Sequence, residues 1–448
     1  MHKKYEDLFK SLVKAYYNDT FEDEVDNLLS KEGYKKEEMA KVISNLCGVT
    51  VEYSKDFITN LKKAITAYQA QNRVVQKLSD CSMKCSSDGK TTACQSACPF
   101  NAILLDPIKG TTYIDIEACA DCGLCVVACE SGRLVDRVEF MPVLELLKSE
   151  KPVIAAVAPA ISGQFGSDVT MDQLRAAFMK IGFKDMVEVA FFADMLTLKE
   201  SVEFDSHVKS EKDLMITSCC CPMWVGMLKR VYSDLVKHVS PSVSPMIAAG
   251  RVLKALNEDC KVVFIGPCIA KKAEAKEKDL IGDIDYVLTF QELRDIFEVL
   301  EINPSELTGV PSIEYASKGG RLYARTGGVS KAVSDAVKDM FPEKYNLLTA
   351  VQANGVKECK AILESAQNGS IKANFIEGMG CIGGCVGGPK ALIPREEGKK
   401  FVDDFAEDSA IKVATHSEIM DQILARINIT SREDFKDEEK IHIFERHF

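Results

Sequence analysis

The residues best suited to chemistry in this chain are cysteines, and they are unevenly spaced. The 448 residues include 17 cysteines. Eight lie between Cys81 and Cys129, three are consecutive at Cys219, Cys220 and Cys221, and Cys381 and Cys385 form a Cys-x3-Cys pair. The N-terminus, MHKKYEDLFKSLVKAYYNDT, is charged throughout and lacks the apolar core and cleavage site of a secretion signal. No apolar run approaches the ~18 residues of a membrane span. The expected setting is therefore the cytoplasm, with no membrane contact. Structural disulfides are rare there, so clustered thiols point to metal or redox chemistry.

The run Cys119-x2-Cys122-x2-Cys125-x3-Cys129 has the spacing of bacterial ferredoxins. Three thiolates hold one cubane and the fourth reaches its neighbour. A partner run, Cys81-x3-Cys85-x8-Cys94-x3-Cys98-Pro99, stretches the first two intervals and keeps the Cys-Pro ending. Crossed ligation assigns one [4Fe–4S] cluster to Cys81, Cys85, Cys94 and Cys129. The other falls to Cys98, Cys119, Cys122 and Cys125. Paired zinc sites are the alternative, but zinc ligand pairs usually stand further apart in sequence. Four cysteines within one short run favour iron–sulfur.

Four more motifs follow: Ala155-Ala156-Val157-Ala158-Pro159-Ala160; Thr217-Ser218-Cys219-Cys220-Cys221-Pro222-Met223-Trp224; Gly266-Pro267-Cys268-Ile269-Ala270-Lys271; and Gly378-Met379-Gly380-Cys381-Ile382-Gly383-Gly384-Cys385. One thiolate from each of two loops plus two from a hairpin would hold a further cubane. Glycines beside Cys381 and Cys385 let the backbone approach a bulky cluster. Lys271 follows Cys268 by three residues, so one helical turn could aim its ammonium at an anion beside the cluster. Glu274 lies one turn further on the same face.

Over residues 78–392 these motifs, in this order, resemble the iron–iron hydrogenase family, and in particular a subgroup with a Thr-Ser-Cys-Cys-Cys-Pro motif. The resemblance implies an H-cluster: a [4Fe–4S] cubane joined through a cysteine sulfur to a two-iron unit carrying CO, CN⁻ and a bridging azadithiolate. It implies Cys221, Cys268, Cys381 and Cys385 as cubane ligands, with Cys385 as the bridge. Lys271, Pro159 and Ser244 match groups that hold the cyanides. Met379 matches the residue near the bridging CO, and Ala158 and Pro267 also match residues around the cofactor. Cys220 matches the thiol that relays protons. Ser240, nineteen residues after Cys221, matches the relay serine. Glu203, Glu200, Asp194 and Ala193 resemble the outer relay segment, and Glu274 is grouped with the catalytic residues.

The implied reaction is 2H⁺ + 2e⁻ = H2; the departures from the family at Gly266 and Cys219 are expected to bias it towards evolution. The implied partners are H2 and protons, ferredoxin or a similar low-potential carrier, and maturation proteins. Cys219, where relatives carry serine, and Gly266, where many carry methionine, are expected to tune the cluster, with Gly266 leaving space beside it or letting water or another side chain enter. An H2 sensor or a non-catalytic iron–sulfur assembly protein is the competing reading. The assembly protein would keep the cubane ligands and lose Lys271 and the relay.

These residues need a scaffold. Residues 1–75 show apolar residues at three- and four-residue spacing, as in KKYEDLFKSLVKAYY and EEMAKVISNLC, and read as a helical region. Residues 76–145 read as a loop-rich ferredoxin-like domain. From about 150, the apolar runs KPVIAAVAP, DLMITSC and KVVFIGPC each end at a special residue and precede a helical pattern. That alternation predicts an α/β fold with parallel strands. The resemblance adds a catalytic domain of two α/β lobes over 146–395. Residues 396–448, with 14 acidic and 8 basic residues, read as a helical tail, HSEIMDQILARI forming one helix. The net charge of -11 argues against nucleic acid as a partner.

Overall fold

The computed structural model describes the chain except for residues 1, 32, 34, 71, 72, 82–84, 87–90 and 312–314. Two compact units emerge. The first comprises Met1–Lys151, Ile269–Lys276 and Tyr286–Asn303; the second comprises Pro152–Cys268, Glu277–Asp285 and Pro304–Phe448.

In the first unit, helices Glu6–Tyr17, Phe21–Leu29, Lys36–Leu46 and Phe57–Thr66 each bury one face. Phe9, Leu12 and Val13 recur at helical spacing on the first helix, and their burial drives its docking. Strand Val75–Lys77 pairs antiparallel with Leu134–Asp136, and Ile103–Asp106 pairs antiparallel with Thr111–Ile114. The cysteines sit on the turns and short helices around these ribbons. Cys94 lies on helix Ala93–Ala97, which a Thr92–Gln95 capping box starts. Lys272 is fully buried and bonds both oxygens of Glu292, at 2.8 and 3.0 Å, and the Arg137 carbonyl at 2.6 Å.

The second unit is α/β with parallel strands, as the sequence predicts. Strand Val153–Val157 runs parallel to Asp185–Glu188 on one side and to Lys261–Gly266 on the other. A second parallel set places Phe375–Met379 between Ala350–Asn354 and Met215–Ile216. The four motifs of this unit leave from the carboxyl ends of these strands. Ala158–Pro159 follows Val157, Thr217–Cys221 follows Ile216, Pro267–Cys268 follows Gly266, and Gly380–Cys385 follows Met379. Parallel α/β sheets collect ligands at that edge. HSEIMDQILARI contains helix Glu418–Arg426. Among the described residues no helix is long and apolar enough to cross a membrane.

Helix Val189–His207 is buried over nearly its whole length, from Val189 to Phe204. Apolar residues cover all its sides, as expected of a helix enclosed by protein. It nonetheless carries Asp194, Lys199, Glu200 and Glu203.

Trp224, the only tryptophan, is buried and donates from Nε1 to the Thr217 carbonyl at 2.8 Å. It packs on Gly378, where an added Cβ would lie 2.2 Å from the indole ring. Gly378→Ala is therefore expected to displace the indole and to destabilise the chain by about 1–3 kcal/mol, as overpacking does. Fluorescence of the single tryptophan and thermal unfolding check this. An unchanged spectrum and melting temperature would contradict the packing described.

Candidate functional site

In the first unit, Cys98, Cys119, Cys122 and Cys125 line one small pocket, together with Val75, Phe100, Ala102, Ile103, Ala120 and Gly123. Gly123 adopts φ 80°, and an added Cβ would strike Ile269 at 2.5 Å, so glycine is required between Cys122 and Cys125. Backbone N–H groups point at these sulfurs: Ala102 donates to Cys98 at 3.3 Å and Asp121 to Cys119 at 3.4 Å. Burial, then the neighbouring thiols of Cys122, Cys119 and Cys98, push the Cys125 thiol upward. Four sulfurs converging on one pocket suit a cluster, and iron would remove those protons.

The other four cysteines form a second group. Cys81 Sγ lies 3.5 Å from Thr112 Oγ1 and 3.6 Å from Thr111 Oγ1. Thr112 also hydrogen-bonds the Cys94 thiol, and Cys85 and Cys129 lie close enough to Cys94 to affect its ionisation. Leu134 donates its N–H to Cys129 Sγ at 3.4 Å.

In the second unit, backbone contacts draw the remaining cysteine loops together. Gly380 donates its N–H to Cys221 Sγ at 3.4 Å, setting Cys221 beside Cys381. The Cys381–Cys385 hairpin is held by Asn354, whose side-chain oxygen accepts from Gly383 N–H at 2.6 Å. Val386 N–H bonds the Ala324 carbonyl at 3.0 Å. Lys390 N–H bonds the Pro267 carbonyl at 3.0 Å, joining the segment after Cys385 to the residue before Cys268. At Gly388 an added Cβ would lie 2.7 Å from that carbonyl. Ala158 N–H bonds the Ile265 carbonyl at 2.9 Å, which brings Ala158 and Pro159 beside the same loop. Ser218 is buried at φ 66° with its hydroxyl unpartnered, directly before the three cysteines. A strained residue and an orphaned polar atom fit a loop built around a bound polar group.

The other expected positions fall as follows. Lys271 Nζ bonds Glu274 at 2.6 Å, and both are buried, so Glu274 acts as the lysine's partner. Met379 is buried at the end of its strand. The Ser244 hydroxyl caps helix Pro245–Leu256, accepting from Ile247 N–H at 3.4 Å, so it already has a structural role. At Gly266 another side chain takes the space: an added Cβ would meet the Phe264 ring at 2.6 Å.

The relay residues divide. Ser240 donates to Glu203 at 2.6 Å, and its hydroxyl lies 2.8 Å from that of Ser242. Glu200 instead accepts from Thr217. Asp194 is separate: Ser317 gives it a hydroxyl bond at 2.5 Å and an N–H bond at 2.7 Å, so it holds the start of helix Lys318–Leu322. Its neighbour Ala193 belongs to the apolar core. Cys219 is buried and donates to the Ser240 carbonyl at 3.0 Å. Cys220 packs with Cys221 against the apolar cluster of Phe204, Tyr323 and Met379. Four polar partners escape sequence reading: Thr217, Ser242, Tyr323 and Lys199. The Tyr323 hydroxyl lies 2.9 Å from that of Thr197. Their only advance signal is a lysine and two glutamates on an otherwise apolar helix.

A family model for the C-terminal domain of the iron-only hydrogenase large subunit matches residues 151–389. The chain belongs to that family. It is 31% identical over 287 residues to iron hydrogenase 1 of Clostridium pasteurianum, covering 53% of this chain and 50% of that protein. The chain thus spans half the length of that relative. It is also 24% identical over 353 residues to cytosolic iron-sulfur assembly component 3 of Bos taurus, covering 64% of this chain and 74% of that protein. The fold matches apo [FeFe]-hydrogenase from Chlamydomonas reinhardtii with a TM-score of 0.58 at 22% identity, over 69% of this chain and 98% of that one. Membership in the iron-only hydrogenase family carries iron–sulfur binding. Both hydrogenases and assembly factors are among its relatives, so the relay geometry carries the functional argument.

Burial pushes the Glu200 carboxyl up to about 7, the Thr217 bond opposing and Glu203 adding. Burial likewise raises Asp194 to about 7 against its Ser317 and Gly320 bonds. Both groups hold a proton more tightly folded than unfolded. The stability they contribute is complete below the unfolded carboxyl range and is lost as pH rises through about 7. Denaturant unfolding before cluster loading should show stability falling between about pH 5 and pH 7, with Glu200→Gln flattening that fall by about 3 kcal/mol. An identical slope in the variant would contradict a protonated Glu200.

Proposed function

We propose that this chain is an [FeFe] hydrogenase catalysing 2H⁺ + 2e⁻ = H2. Cys221, Cys268, Cys381 and Cys385 would hold the H-cluster. Two [4Fe–4S] clusters on the first-unit cysteines would feed it from ferredoxin or a similar carrier. The observation that favours this reading is the buried contact between Ser240 and Glu203, beside the loop of three cysteines. Ligating a cubane needs no such pair, and an assembly protein has no use for one.

When bound, the H-cluster supplies the electrons and the metal site at which H2 is made or split. The chain supplies the rest. Cys385 would be one of the thiolates that hold the cluster. Lys271, oriented by Glu274, offers N–H donors to the anionic ligands. Apolar residues such as Phe204, Val333 and Phe375 exclude water around Cys220 and Cys221 and so strengthen every charge interaction there. Cys220 gives or takes the proton at the cofactor, and Ser240 and Glu203 carry it away. Evolution as the favoured direction is part of the proposal. It rests on Cys219 and Gly266 beside the ligands: a thiol donates more weakly than a hydroxyl, and Phe264 stands where a methionine would reach.

Cys220→Ala tests the reading. It is expected to retain the infrared bands of the cofactor and to lose about 10²–10⁴ of turnover, the usual weight of one acid–base group. Cys219→Ala, which removes only a bond to a carbonyl, is expected to keep most activity. The reverse pattern would move the proton donor to Cys219, whose thiol lies beside Glu200 and Glu203. Cys385→Ala should abolish the CO and CN⁻ bands and leave the iron–sulfur signals of the first unit; normal bands in that variant would contradict the bridging role.

A further inference from the structure

Glu203 does not end the hydrogen-bonded chain. Its carboxylate pairs with Lys199, whose ammonium is completely buried. Lys199 Nζ also lies 3.3 Å from Ser242 Oγ and 3.2 Å from Glu445 Oε1. The Glu445 side chain is 27% exposed. An unbroken set of contacts therefore runs from Ser240, through Glu203 and Lys199, to a carboxylate in water.

The fold holds Glu445 in place with several bonds. Residues 444–446 pair antiparallel with residues 241–243 around the Ser242–Glu445 bridge. Val243 N–H bonds the Phe444 carbonyl and Arg446 N–H bonds the Pro241 carbonyl, both at 2.8 Å. Arg251 donates to the carbonyls of Glu445 at 2.6 Å and Ile443 at 3.3 Å, while its Nε holds Asp283 at 2.9 Å. Arg446 reaches Glu277 at 2.5 Å. The segment that carries Glu445 is thus fixed on both sides over the buried lysine.

We propose that Lys199 and Glu445 form the outer leg of the proton route, with the Glu445 carboxylate as its mouth. The proposal rests on reading Ser240 and Glu203 as proton carriers. For H2 evolution, a solvent hydronium ion protonates Glu445 and is left as water. The Lys199 ammonium gives one proton to Glu203 and takes one from Glu445. Lys199 is then unchanged, Glu445 is a carboxylate again, and Glu203 is a carboxylic acid that protonates Ser240 Oγ as the serine passes its own proton inward. One proton enters and one leaves, and H2 oxidation reverses each step. Burial disfavours the Lys199 charge, and Glu203, Glu445 and Glu200 outweigh it, so the resting state is the ammonium.

Glu445→Gln in the matured chain tests the mouth. The expected result is a loss of at least about tenfold in turnover, a larger solvent deuterium isotope effect, partial rescue by Glu445→Asp, and unchanged infrared bands. Glu445→Gln takes one of two carboxylates from a buried ammonium, so the melting temperature should fall; Glu203 still pairs with Lys199, and turnover is compared at a temperature where both chains are folded. Lys199→Arg tests the inner step. Arginine keeps the charge and does not release a proton, so turnover should fall while the infrared bands persist; its larger head lowers the melting temperature in this buried site, so turnover is read where the variant is folded. Turnover and an isotope effect equal to the parent's in Glu445→Gln would overturn the proposal, as would full activity in Lys199→Arg. Those results would leave the hydrogenase reading standing. A parent chain with no CO and CN⁻ bands and no H2 turnover would overturn both.

Discussion

The constraint on which the second unit depends is the placement of four ionisable groups on a helix that is buried on every side. Taking a charge out of water costs several kcal/mol unless another group compensates. Helix Val189–His207 meets that cost in different ways along its length. Asp194 is satisfied by Ser317 at the start of helix Lys318–Leu322. Glu200 is bonded by Thr217, the residue that leads into the three cysteines. Glu203 and Lys199 pair with each other and reach Ser240, Ser242 and Glu445. Each partner belongs to a segment that a cofactor site needs in a fixed place. The polar groups of one helix therefore help to set the register of the loops around it, and all but Asp194 also supply candidate proton carriers.

The second organising feature is the shared edge of the parallel strands. Four short apolar strands end at Val157, Ile216, Gly266 and Met379, and the motif segments begin there. A parallel strand delivers its carboxyl end to the same side as its neighbours, so segments far apart in sequence meet. Glycine then allows the final approach. Gly388 packs on the Pro267 carbonyl, and Gly380 presents its N–H to Cys221 Sγ. These contacts use backbone atoms, which explains how cysteines on separate loops can be held ready for a cluster without help from one another.

The parallel strands and the C-terminal helix were legible in the sequence because apolar periodicity and cysteine spacing are local signals. Lys271 and Glu274 were legible for the same reason: one helical turn separates them. The roles that were not legible depend on tertiary partners. Asp194 shares a helix with Glu200 and Glu203, and only the position of Ser317 shows that it holds the start of helix Lys318–Leu322. Phe264 fills the space beside Gly266 from two residues earlier on the same strand, and the sequence alone does not show where its ring turns. Glu445 lies over two hundred residues from Ser240, and only the pairing of 444–446 with 241–243 brings it to Lys199. Nor does a linear reading reveal that Ile269–Lys276 and Tyr286–Asn303 pack with the N-terminal unit.

The central claim is that these loops hold an H-cluster and that the polar groups beside them move protons for it. Infrared spectroscopy of the chain, matured with the two-iron unit and treated with H2, tests this most directly. Sharp CO and CN⁻ bands that shift when H2 is supplied are expected, because turnover changes the charge on the metals. Iron–sulfur signals without those bands would contradict it and would place this chain with the assembly proteins among its relatives.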